Sequence, residues 1–195
     1  MGIAKTTMQK NTKFIFDFDD VLFYTTRRLR EHIYPFLESC GIPREKIDAY
    51  YTGVRGRRFS IKKLLQHFSI PDLYEDIMAN SKAFVNTKLV KKVQKLGKEN
   101  CYILSYGDKE FQLDKIKRSG IENFFSDIII VKNDKKNEEL EKLCARHAEE
   151  TIVFIDDKIK HLENIDIKNC PNLKTILYTG QNIDTEIEKF ILKDK

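Results

Sequence analysis

The hydrophobic positions of this chain fall into five short runs and one long helical interlude. Phe14–Phe18, Cys101–Leu104, Ile128–Val131, Ile152–Ile155 and Thr175–Tyr178 are short, apolar and bounded by polar residues, which predicts strands. Phe14, Ile15 and Phe16 are apolar without alternation, as in a strand buried on both faces of a parallel sheet. The last four runs alternate with helical patterns at Lys109–Arg118, closed by Gly120, at Lys136–Ala148 and at Thr185–Leu192. Strands alternating with helices predict an α/β fold with a parallel sheet and helices on both faces.

The first strand breaks that rhythm, because the stretch before the second reads as helical throughout. Thr25–Cys40 carries Leu29, Ile33, Phe36, Leu37 and Cys40 on one face and stops at Gly41. Pro43 opens a short helix through Tyr50, and Ser60 caps Ile61–Phe68. Pro71 opens another, and Leu89, Val90, Val93 and Leu96 mark a last one stopped by Gly97. This is too long for a simple crossover. Residues 26–87 are therefore expected to form an inserted helical cap, a lid over a core made of residues 12–25 and 88–195. Residues 1–11 are polar and nonperiodic and read as a flexible leader.

Composition changes this picture little. A hydrophobic content of 41% in 195 residues suffices for a packed core, and a net charge of +5 fits a solvated lysine-rich surface rather than a nucleic-acid binder. No apolar run approaches the ~20 residues of a membrane span. Cys40, Cys101, Cys144 and Cys170 form no Cys-x-x-Cys pair, and with no secretory leader they read as reduced thiols of a cytoplasmic protein, monomeric or homodimeric. The histidines His32, His67, His147 and His161 lack metal-ligand spacing and read as surface or partly buried residues, with His161 following an aspartate pair.

The chemistry is concentrated where strands end. The first runs into Asp17-Phe18-Asp19-Asp20, and Asp17 and Asp19, two apart, project on the same side. Carboxylates that close repel unless something positive lies between them. The fourth strand runs straight into Asp156-Asp157. Two distant strands with this ending suggest one divalent-metal site, placed in the crevice beyond the carboxyl ends of the sheet. The second strand leads into Ser105-Tyr106-Gly107, with a hydroxyl at the strand end and a glycine permitting close backbone approach. The third is followed by Asn133-Asp134-Lys135-Lys136, where either lysine could be a cation aimed at a phosphate.

Asp17-Phe-Asp19-Asp20-Val21, then Ser105, then Lys135 or Lys136, then Asp156-Asp157, resembles the haloacid dehalogenase-like superfamily in its phosphatase branch. The resemblance covers nearly the whole chain and implies a Rossmann-like core with an inserted helical cap. It further implies a Mg²⁺-dependent phosphatase acting on a small phosphorylated metabolite, a sugar phosphate or nucleotide, through an aspartyl-phosphate. By position, Asp17 would be the nucleophile and Asp19 the acid and base. Mg²⁺ would be held by Asp17, the Asp19 backbone carbonyl and Asp156, with Asp157 at or beside it. Ser105 and Lys135 or Lys136 would hold phosphoryl oxygens, and the inward placement of Leu140 and Leu143 favours Lys136. Asp20 stands where many relatives carry Gly, and Val21 where many carry Thr. Dehalogenase relatives lack an acid at the position of Asp19, which argues against dehalogenation here.

The cap segment Tyr50–Ser60 contains Gly53, Gly56, Arg55, Arg57 and Arg58. It bears a faint resemblance to the cap loop of β-phosphoglucomutase-like enzymes. Its arginines, with Ser105, Tyr106 and Gly107, are the expected substrate contacts. Two alternatives stay open: a phosphomutase of the β-phosphoglucomutase type, which returns the phosphoryl group to substrate, and a noncatalytic module that binds nucleic acid or another ligand.

Overall fold

The computed structural model describes residues 12–55, 57–132, 136–163, 165–166, 168–181 and 183–191. The strands are β1 (Thr12–Phe16), β2 (Cys101–Tyr106), β3 (Asp127–Val131), β4 (Thr151–Asp156) and β5 (Leu173–Leu177). They form one five-stranded sheet in the order β3-β2-β1-β4-β5, every neighbouring pair parallel. Each lies within two residues of its expected place. β1 begins and ends earlier than the apolar run because Asp17 already turns out of the ladder, its N–H still donating to Ile155 O at 2.8 Å.

Alternation along the central strands divides the core between two faces. Phe14 and Phe16 of β1, Cys101 and Ile103 of β2, and Val153 and Ile155 of β4 point to one side. There they meet Leu89, Val90 and Val93 of α6 (Thr87–Leu96), Ile116 of α7 (Lys109–Ser119) and Ile183 and Ile187 of α10 (Ile183–Ile191). Ile15, Tyr102, Leu104, Ile152 and Phe154 point to the other. They are covered by Leu140, Leu143 and Cys144 of α8 (Asn137–Arg146), with Leu162 of the short α9 (Ile159–Glu163) packed alongside. Both faces are thus dry, as a parallel sheet requires.

The residues between β1 and β2 build a second hydrophobic body. It comprises α1 (Thr25–Arg28), α2 (Tyr34–Ser39), α3 (Arg44–Gly53), α4 (Ile61–His67) and α5 (Tyr74–Ala79), before α6 returns the chain to the sheet. Ile33, Leu37, Ile47, Ile61, Leu64, Leu65, Ile77 and Met78 form its core. The spacing predicts one continuous helix over Thr25–Cys40, but the structure divides it. Leu29–Ile33 is a π-helical stretch between α1 and α2. Pro35, at the start of α2, has no N–H to return to the carbonyl of Glu31, so the regular ladder cannot pass through it. Among the described residues no helix is long and apolar enough to cross a membrane.

Candidate active site

The strand order reverses at β1, with β2 on one side and β4 on the other, and the crevice beyond their carboxyl ends is where an open α/β sheet binds ligands. Asp17 leaves β1 there and Asp156 ends β4 beside it, both buried. Lys136, fully buried just before α8, bridges them: its Nζ lies 3.0 Å from Asp17 Oδ1 and 2.6 Å from Asp156 Oδ2. Lys135 lies outside the described residues. Phe18 N donates to Asp17 Oδ1 at 2.7 Å, which fixes one oxygen of that carboxylate.

After Asp17 the chain folds into a tight turn closed by Leu22 N and Phe23 N donating to Phe18 O. Asp20 adopts φ 57°, a left-handed conformation that glycine takes freely and aspartate tolerates. Its carboxylate accepts from Thr26 N at 2.8 Å and Thr26 Oγ1 at 2.6 Å, capping α1 from outside. The two bonds to Thr26 offset the strain of that conformation.

Asp19 points into a cavity of about 330 Å³ between the sheet end and the helical body. Thr25, Gln112 and Lys115 hold its carboxylate: Thr25 Oγ1 and Lys115 Nζ on Oδ1, Gln112 Nε2 on Oδ2 at 2.6 Å. Burial alone would raise its pKa, but Lys115 and the two hydrogen bonds hold it below the ordinary carboxylate value. Gln112 Nε2 also donates to Tyr106 O at 2.9 Å, tying Asp19 to the end of β2. Asp17 lines the same cavity, as do Ser105, Tyr106 and Gly107. A Cβ on Gly107 would meet Gln112 Cγ at 2.9 Å, so the glycine makes room for Gln112. Arg55, Arg57 and Arg58 stand exposed at the edge of the cavity, and Gly56 lies outside the described residues.

Four carboxylates, Asp17, Asp19, Asp156 and Asp157, gather around three lysines, Lys115, Lys136 and Lys158. Burial, reinforced by Asp156 and Asp19 and opposed by Lys136, pushes Asp17 above the ordinary carboxylate value. Burial also pushes Asp157 up to about 6, and its Oδ1 is buried with no hydrogen-bond donor, Lys158 Nζ standing 3.9 Å away. Asp156 moves the other way, to about 2, because hydrogen bonds from His161 and Lys136 outweigh its burial. An undonated carboxylate oxygen beside two buried aspartates is a donor set for a hard divalent cation, and it fits magnesium. Asp17, Asp156 and His161 also bring one ligand atom each within 4.8 Å of one another. His161 is buried rather than at the surface: Nδ1 donates to Asp156 Oδ2 at 2.9 Å, Nε2 is buried without a partner, and the residue lines the cavity.

Gln112, Lys115, Lys158, His161 and Arg28 line the cavity but are absent from the candidates drawn from the sequence. A signal for two of them existed. The buried stripe of α7 runs Phe111, Gln112, Lys115, Ile116, Ser119, so Gln112 and Lys115 occupy positions where packing alone would place apolar residues.

Among solved structures, a haloacid dehalogenase-like hydrolase from Burkholderia xenovorans superposes with a TM-score of 0.65 over 86% of this chain and 82% of its own, at 20% identity. The chain has the haloacid dehalogenase-like fold. The same dehalogenase-like architecture is found in the hydrolase YfnB from Bacillus subtilis, solved bound to magnesium (TM-score 0.54, 16% identity, 89% of this chain and 88% of that one). It is found again in a subfamily IA hydrolase from Geobacter sulfurreducens (TM-score 0.54, 12% identity, 86% and 89%). No family model and no curated protein matches the chain.

Proposed function

We propose that this chain is a Mg²⁺-dependent phosphatase that hydrolyses a small phosphorylated metabolite through an aspartyl-phosphate on Asp17. The observation that carries the reading is the Asp17 carboxylate at the sheet's switch point, bridged by Lys136 and sharing a cavity with Asp19 and Ser105. The neighbours described as hydrolases, one of them bound to magnesium, support it.

Asp17 uses its unbonded oxygen to attack phosphorus, and the bond from phosphorus to the ester oxygen breaks. Asp19, held ionised by Lys115 in the free protein, takes the acidic proton of the monoanionic phosphate ester, passes it to that leaving oxygen, and later takes one from the water that splits the aspartyl-phosphate. Its bonds to Thr25, Gln112 and Lys115 hold the carboxyl in place for both transfers. Lys136 offsets the repulsion between Asp17 and the phosphoryl oxygens, which Ser105 and the backbone at Tyr106 and Gly107 receive. Asp17, the Asp19 carbonyl and Asp156, with Asp157 beside them, would hold magnesium, which would supply further positive charge against the repulsion between carboxylate and phosphate. An acid at Asp19 suits an alkoxide leaving group, whereas halide would need no proton.

The test is release of phosphate from an aryl phosphate with added Mg²⁺, its abolition by chelator and its recovery on re-addition. Asp17→Asn should be folded and inactive. A folded Asp17→Asn variant with near-normal turnover would overturn the mechanism.

A further inference from the structure

The chemistry occupies one end of the 330 Å³ cavity, and the other end is built from the helical body. Arg28 lies there with 2% of its surface exposed. One of its terminal nitrogens donates to Ile77 O at 2.8 Å and contacts Met78 Sδ at 3.2 Å. Among the described residues no carboxylate pairs with it, and its Nε–H is buried without an acceptor. Burial draws the guanidinium down to about 10. The hydroxyl of Tyr51, on the same cavity wall, is also buried and unpartnered. Burial raises Tyr51, and Arg28 opposes that rise, so Arg28 lies close enough to act on the Tyr51 hydroxyl. Leu29, Ile33, Phe59 and Phe111 complete this end, and the Tyr51 ring stacks on Phe59 at 5.2 Å.

A buried cation without a counter-charge is costly unless something anionic arrives to pair with it. Two idle donors, Nε–H and a phenol O–H, set in apolar walls, match the two oxygens of one carboxylate. The charge matches too. A carboxylate brings one negative charge to one guanidinium, whereas a second phosphate would bring about −1.5 to −2. The π-helical stretch immediately after Arg28 carries Leu29 and Ile33 into the same wall, so the irregularity falls where the cavity is shaped.

We infer that Arg28 and Tyr51 form a carboxylate subsite, and that the substrate is a phosphate ester of a small hydroxy acid with an apolar body. The inference rests on the phosphatase reading for the other end of the cavity. It differs from the expectation that Arg55, Arg57 and Arg58 grip the substrate, since those three are exposed and Arg28 is not.

The experiment compares phenyl phosphate, meta-carboxyphenyl phosphate and meta-phenylene bisphosphate on the full chain with Mg²⁺. The carboxylated ester should show kcat/KM about tenfold or more above phenyl phosphate, the value of a charge-assisted hydrogen bond. Tyr51→Phe should cut that preference several-fold, and Arg28→Gln should bring it to about one. Tyr51→Phe removes a single unbonded oxygen, so it serves if Arg28→Gln fails to fold. Turnover without a carboxylate preference, a preference for the bisphosphate, or a preference that survives Tyr51→Phe would overturn the subsite and leave the phosphatase reading standing. If none of the esters is hydrolysed, that reading falls, and benzoate binding by calorimetry decides the subsite alone. Binding weakened by Tyr51→Phe keeps it, and no benzoate binding removes it.

Discussion

Asp157 shows how one side chain can stand against the fold and in favour of the site. Its buried oxygen has no donor, and burial beside Asp17 and Asp156 raises its pKa to about 6 against an ordinary 3.8. A carboxyl whose folded-state value is raised loses stability as pH climbs from its unfolded value to its folded one, and the whole cost is present above the latter. Asp157→Asn should therefore stabilise the metal-free protein at pH 7 by about 1 kcal/mol. The same change should reduce the stabilisation gained from Mg²⁺, which for a saturating site is about 2.7 kcal/mol at a hundred times Kd. Urea melts with and without Mg²⁺ measure both, and two changes of the same sign would remove Asp157 from the metal site. Asp20 is a simpler case. Asp20→Ala loses the bonds to Thr26 and leaves a Cβ at φ 57°, so it should cost about 1–2 kcal/mol in the same melts. The thiols divide by burial. Cys101 and Cys144 are buried, with pKa values pushed up to about 12, and Cys170 is buried with them. Ellman's reagent at pH 8 should find Cys40 quickly and the other three only after unfolding.

At the scale of elements, α7 joins the two halves of the site. Its buried stripe presents Gln112 and Lys115 to Asp19, while Phe111 beside them packs into the helical body. The tight approach of the β2–α7 turn depends on Gly107, because a Cβ there would press on Gln112 at 2.9 Å from Cγ and 3.0 Å from Nε2. Gly107→Ala should cost about 1–2 kcal/mol, from its φ of 157° and the displaced Gln112, and should lower kcat by on the order of ten- to a hundredfold, because Asp19 loses its fixed position. Steady-state kinetics on an aryl phosphate, beside a urea melt, separates the two effects. Intact kcat in the alanine variant would show that Gln112 does not set the geometry of Asp19.

For the molecule as a whole, the helical body is anchored to the sheet layer through that same helix. Phe59 meets Phe111 edge-on at 5.9 Å, Tyr74 Oη donates to Asp114 Oδ2 at 2.6 Å, and Arg118 pairs with Glu75 at 2.9 Å. Phe111→Ala should cost about 3–5 kcal/mol and loosen the cavity wall. The aromatic contact lies among many apolar ones, whereas the Arg118 pair is largely solvent-facing on the Glu75 side, so Arg118→Ala should cost much less. Comparing the two melts tests whether packing or charge holds the halves together.

The order of strands and helices was legible in the chain because burial on two sheet faces leaves an unmistakable apolar run, and the run length separates strand from helix. The carboxylates at strand ends were legible for a related reason: a charge that closely follows a buried strand has only the crevice to enter. Asp17, Asp19, Asp156 and Asp157 all announce themselves in this way. The break at Pro35 could not be weighed from periodicity, which counts apolar positions and ignores a missing N–H. Nor could the sequence bring Lys115 to Asp19, Lys136 between Asp17 and Asp156, or the unpaired Arg28 to the cavity wall. Each of those pairings joins residues distant along the chain, and the charge of a lysine or arginine reads the same whether it ends in solvent or in a core. The sequence by itself determined which groups are available and near which strand ends they stand. Only the tertiary structure decided which of them are buried together, because burial is what turns an ordinary surface charge into one that must find a partner.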